Sequence, residues 1–87
     1  MNSKQRAVLK AIFEKPTRAN IRFSDIERLL ISLGGRLFEG RGSAIRIAFD
    51  GGLKYDQHRP HPGKEAKRYQ VEDARTLLEL LGVKTDE

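Results

Sequence analysis

The sequence predicts an α+β fold of two layers: a three-stranded antiparallel sheet with helices packed on one face, in the order helix, helix, strand, strand, strand, helix. Three observations predict it. Apolar residues recur at helical spacing up to Leu33 and again from Val71, whereas between Leu37 and Gln57 they alternate. Glycines and prolines mark the places where the period changes. The 87-residue chain is also short. Its folded surface scales to roughly 5,200 Å² against roughly 14,400 Å² for the extended chain, so one modest core is expected. A two-domain enzyme, a full dinucleotide-binding fold and a deep enclosed pocket are excluded at this size. The expectation is a single domain over residues 1–87.

The first helix is read over residues 3–14. Ala7, Val8, Ala11 and Ile12 form its stripe, widened by Leu9 and Phe13. Asn2 or Ser3 can cap it, and Pro16 ends it. Thr17 to Phe23 is an extended connection. Ser24-Asp25-Ile26-Glu27 has the pattern of a capping box opening a second helix with Ile26, Leu29, Leu30 and Leu33 on one face. Gly34-Gly35 closes it.

A short strand begins at Leu37 and Glu39, and Gly40-Arg41-Gly42-Ser43 turns the chain. Ala44 to Phe49 alternates, with Ile45, Ile47 and Phe49 on one face and Ala44, Arg46 and Ala48 on the other. Asp50-Gly51 signals a hairpin, and Gly52 allows a three-residue loop. Leu53, Tyr55 and Gln57 continue a third strand, with Lys54, Asp56 and His58 facing away. The prolines and glycine of His58 to Lys64 define a loop. The last helix runs from about Gln70 to Leu81, with Val71, Ala74, Leu78 and Leu81 on one face, Leu77 beside them and Gly82 as its C-cap. Asp86-Glu87 and the few residues before them read as a frayed tail. Phe13, Phe23, Phe38, Phe49 and Tyr55 are read as packing residues, and no stacking platform is recognised among them.

The formal charge is +5 and unevenly placed: +4 over residues 1–35, +4 over 36–68 and −3 over 69–87. A basic domain of this kind attracts polyanions, nucleic acid above all, although such a charge also serves solubility. The absence of cysteine excludes disulfides, cysteine zinc sites and thiol nucleophiles. No apolar run is long enough to span a membrane, and the first residues lack the apolar core of a signal peptide, so a cytoplasmic location is expected.

The chemistry concentrates on one loop. His58 and His61 flank Arg59 and Pro60, with Lys64 close behind. Histidine is suited to proton transfer near neutral pH, and cations hold phosphate. Together they make a minimal kit for RNA cleavage without a cofactor, although exposed loop histidines are often inert. His-x-x-His with Asp56 or Glu65 is a poor metal set, and none is assigned. Gly40-Arg41-Gly42-Ser43 reads equally as a phosphate-binding nest or a plain hairpin loop.

Gly42-Ser43 at the head of the second strand, Arg59-Pro60-His61-Pro62-Gly63-Lys64-Glu65 after the third, and Leu80-Leu81-Gly82-Val83 ending the last helix together resemble the HicA toxins of bacterial toxin–antitoxin pairs. The helix from Ser24 to Leu33 with Gly34-Gly35 is similar as well. The likeness spans about residues 22–83, with residues 1–16 as a helical extension. It implies a double-stranded-RNA-binding-like fold, mRNA cleavage by a metal-independent endoribonuclease, and a HicB-like antitoxin partner. One position departs: family members typically carry their catalytic His directly after Gly-Ser, where this chain has Ala44. Three readings remain: the role has moved to His61 or His58, the chain is a non-catalytic RNA-binding or antitoxin-docking module, or it is an inactivated variant. On the first reading Arg59 and Lys64 hold phosphate, while Arg41, Ser43, Arg46 and Lys54 extend the RNA track.

Overall fold

A computed structural model describes residues 1–85. The elements are α1 (Ser3–Ile12), α2 (Phe23–Ser32), β1 (Arg36–Glu39), β2 (Ala44–Ala48), β3 (Lys54–His58) and α3 (Arg68–Leu80). The strands form an antiparallel meander in the order β1-β2-β3. The element order and open sheet match the expectation. Of the tail expected to fray, Asp86-Glu87 lie outside the described residues, whereas Val83 packs on the core and its N–H donates to Leu78 O at 2.9 Å.

Alternation on the strands divides the sheet. Ile45, Ile47, Tyr55 and Gln57 point inward and are buried, while Arg46, Lys54, Asp56 and His58 point outward. The inward face meets α2 over β2 and α3 over β3, and α1 packs against α2 and α3. Ile12, Ile26, Leu29, Leu30, Ile47, Val71 and Leu78 share the centre of one core. The accessible surface is 5691 Å², near the roughly 5,200 Å² expected for this mass.

Helix ends show where local signals yield to tertiary contacts. Asn2 caps α1: its side chain accepts the Gln5 N–H at 2.8 Å and Gln5 Oε1 accepts the Asn2 N–H at 3.1 Å. The other end of α1 is held by Arg75 of α3, whose Nε donates to Ile12 O at 2.9 Å and whose Nη2 donates to Glu14 O at 3.1 Å. A guanidinium suits carbonyls at the negative end of a helix. On the stripe of α1, Leu9 is buried and Ala7 exposed.

The capping box at Ser24 does not form. α2 starts two residues earlier, with Arg22 in place of Ser24 as N-cap and no side-chain cap. The Phe23 N–H instead donates to Lys64 O at 3.0 Å, part of a short pairing between residues 21–23 and 64–66. That pairing satisfies the first turn, and Glu27 is released to meet Arg59. At the far end Gly34 takes φ +106°, and Gly35 N donates to Leu30 O. A side chain at Gly35 would collide with Ile47, so this glycine lets β1 start against the core.

The reading of Phe38 as a packing residue is also corrected. Leu37 sits opposite Ile47 and takes the inward position, so Phe38 faces outward and is 54% exposed. Phe23, Phe49 and Tyr55 are buried as expected, and Phe13 is half-buried. The loop after β2 spans three residues, closed by Phe49 N to Leu53 O at 2.8 Å.

Candidate nucleic-acid interface

The uncovered sheet face is ordered by register into three rows. Arg36, Ala48 and Lys54 form the first. Phe38, Arg46 and Asp56 form the second. Ala44 and His58 are cross-strand partners in the third, next to Gly40. An open hollow runs over Phe38, Gly40, Ala44, Arg46, Ala48, Asp56 and His58.

His58 is the best-positioned of the sequence candidates. As the last residue of β3 it is exposed on this face, and its Nδ1 lies 3.2 Å from Ser43 Oγ. That contact engages Nδ1 and not Nε2. The backbone beneath is held from two sides. Arg59 N donates to Ser43 O at 2.8 Å, locking the head of β2 to the end of β3. The fully buried Gln70 donates from Nε2 to His58 O at 2.8 Å, and its Oε1 accepts the Lys67 N–H. Tyr55 in turn donates its hydroxyl to Gln70 O at 2.8 Å. Burial pushes the Tyr55 phenol well above its ordinary value, with Asp73 and Glu27 adding to the effect, so it stays a donor.

The other candidates divide. Arg46 forks onto Asp56, Nε to Oδ1 at 2.7 Å and Nη2 to Oδ2 at 3.0 Å. The hydrogen bonds hold the Asp56 carboxyl below, and the Arg46 guanidinium above, their usual ranges. Arg59 turns away from this hollow. Its Nε and Nη2 meet Glu27 at 2.9 and 3.2 Å, and its Nη1 meets Glu39 at 3.1 Å. Those bonds raise its pKa further and neutralise the charge expected to hold phosphate. Arg59 and Lys64 line a second hollow with Phe23, Ser24 and Glu27. Lys64 and His61 are exposed on the 59–67 loop, Arg41 at the tip of the β1–β2 turn. Lys54 is at the opposite end of β3 from His58. Among the described residues no group of three or more His, Asp or Glu could hold a metal ion, and no helix is long and apolar enough to cross a membrane.

Sequence reasoning missed Gln70, Phe38 and the carboxylates of Arg59. Gln70 falls four residues before Ala74 and eight before Leu78, on the buried face of α3, so its position held the signal. Phe38 was legible from Leu37, since neighbouring strand residues cannot share a face. The Arg59 fork joins residues 20 and 32 positions apart and carries no local sign.

No protein-family model matches the chain, and neither the curated proteins nor the solved structures contain a significant match.

Proposed function

We propose that the chain is a metal-independent endoribonuclease acting on mRNA, the toxin of a type II toxin–antitoxin pair, with His58 as its general base. One observation carries the reading. Ala44, the position at which the HicA-like pattern has its catalytic histidine, is the cross-strand partner of His58. Cross-strand partners have Cβ atoms about 5 Å apart. A histidine on β3 therefore serves the same patch of surface as one on β2. The double-stranded-RNA-binding-like topology belongs to this proposal, supported by the element order and the open sheet.

The chemistry needs little from the protein because RNA brings its own nucleophile. His58 Nε2 takes the 2′-hydroxyl proton. The 2′-oxygen bonds to the adjacent phosphorus, the bond from phosphorus to the 5′-oxygen breaks, and that oxygen leaves with a proton taken from solvent water, to which His58 later returns the proton it holds. The products are a 2′,3′-cyclic phosphate and a 5′-hydroxyl end. Ser43 Oγ holds the ring through Nδ1. Arg41, on the same turn as Ser43, and Lys54 supply phosphate contacts, which position the strand without reading its sequence. Binding weakens steeply with salt. A HicB-like acidic antitoxin inhibits by covering this face, its approach sped by opposite charge.

Ala44 favours a second reading, a binding module that has lost cleavage. The test is RNA incubated with the protein in EDTA, beside His58→Ala and His61→Ala. Cyclic-phosphate ends should appear with the unmodified chain and fall about 100-fold or more in His58→Ala, the usual worth of a general base. His61→Ala should change the rate only a few-fold. Undiminished cleavage by His58→Ala rejects the assignment. Binding without cleavage by the unmodified chain supports the module.

A further inference from the structure

We infer that Phe38 is a stacking platform for an unpaired base, so that the substrate on this face is single-stranded RNA rather than a duplex. The inference rests on the endoribonuclease reading for its choice of RNA and adds to it the form of the RNA and the residue that receives the base. Phe38 is 54% exposed at the middle of β1, although an aromatic ring is normally among the best-buried side chains. Phe38 is the cross-strand partner of Arg46, and the residues flanking Arg46 on this face, Ala44 and Ala48, are small. The hollow that starts at Phe38 ends at His58, roughly 12 Å away by strand spacing and rise. The base stacked on Phe38 thus belongs to the stretch of strand that reaches His58.

Charge selects the occupant. The outward rows carry Arg36, Arg46 and Lys54 against Asp56, with Arg41 at the rim, while at the edges Asp50 pairs with Arg36 and Glu39 is held by Arg59. An acidic protein can cover the same cations, but it has no bases to stack on the exposed ring. A nucleic-acid strand uses both features: cations follow its backbone, and an aromatic ring takes a base of any identity. Stacking requires a base already out of a helix, which a duplex does not offer. The Arg46–Asp56 fork shares the row of Phe38 by register.

The experiment uses the full chain with His58→Ala, so that RNA stays intact, and oligoadenylate or oligouridylate carrying one 2-aminopurine. Binding should quench the 2-aminopurine, and the same strand in a duplex should bind at least tenfold more weakly. Phe38→Ala should weaken single-strand binding about five- to 150-fold, the range measured for one stacked base, and abolish the quench. Phe38→Trp should retain both. Phe38 is exposed, so thermal melts should coincide for all variants. Unchanged affinity in Phe38→Ala, equal binding of the duplex, or no RNA binding at all overturns the inference. Failure of the cleavage reading looks different: no cyclic-phosphate ends from the unmodified chain, with Phe38-dependent binding intact.

Discussion

The two faces of the sheet are built from the same three strands and obey different rules. On the inner face Ile45, Ile47 and Tyr55 are at most 4% exposed, and the polar Gln57 is satisfied by Asp73 at 2.8 Å. On the outer face an aromatic ring, an ion pair and a histidine stand in solvent beside two half-buried alanines. Inner residues are fixed by what they touch. Outer residues touch little beyond their cross-strand neighbours, so stability does not account for their identity. That contrast directs functional argument to the outer face, and it can be broken by substitution.

The largest expected effect is on the inner face. Ile47 is fully buried between β1, β3 and α2, and Ile47→Ala should lower unfolding free energy by about 2–5 kcal/mol. Gly35→Ala should cost about 1–3 kcal/mol, since the new methyl group meets Ile47 and the Leu30 carbonyl. Both are read from urea unfolding. If either variant is as stable as the parent, the inner face is less tightly packed than described.

Arg59 belongs to neither face, and its substitution sharpens the contrast. Glu27 is 9% exposed and takes two of the three hydrogen bonds that Arg59 makes. Arg59→Ala leaves that carboxylate without its cation and should cost about 1–3 kcal/mol. Glu27→Gln in the same chain should recover part of the loss. If Arg59→Ala instead leaves stability intact and weakens RNA binding, Arg59 is the phosphate ligand that the sequence suggested.

How much was legible follows from range. The strands and the apolar faces of the helices were readable because their periods are written in consecutive residues, as in Ala44 to Ala48. The Gly34-Gly35 and Gly82 caps were readable for the same reason. The Ser24 box failed because its helix start is set by Lys64, forty residues on. At the site, His58 was named from residue type, and its outward face from alternation. The Ser43 contact, the Gln70 support and the loss of Arg59 to Glu27 depend on loop paths that no local pattern encodes.

Tyr55 gives a titration that separates inside from outside. Its phenol is raised above the ordinary value near 10 by burial. A raised pKa in the folded state means the stabilisation is complete below the unfolded value and is lost as pH climbs past it, when only the unfolded chain can ionise. Of the two tyrosines, Tyr69 is 53% exposed. Absorbance at 295 nm should therefore show Tyr55 ionising only together with loss of circular dichroism. Ionisation of both phenols in the intact fold would contradict the burial of Tyr55.

The smallest effect on stability is expected at the pair that dominates the outer face. Arg46 and Asp56 make two good hydrogen bonds, yet both side chains are about half exposed, and water competes for them. Neither Arg46→Ala nor Asp56→Asn should shift the melting midpoint beyond the scatter of neutral surface variants. Arg46→Ala should let the Asp56 carboxyl rise toward its ordinary value, visible by NMR titration. RNA binding should respond in opposite directions. Arg46→Ala removes a cation beside Phe38, weakening binding and lowering the salt slope by up to about 0.7, the single-strand value for one phosphate. Asp56→Asn removes the only carboxylate among the outward residues of the three rows and should tighten binding. Opposite shifts in affinity with no change in stability would mean that this pair is tuned for a polyanion. Matching losses of stability in both variants would return it to the rules of the inner face.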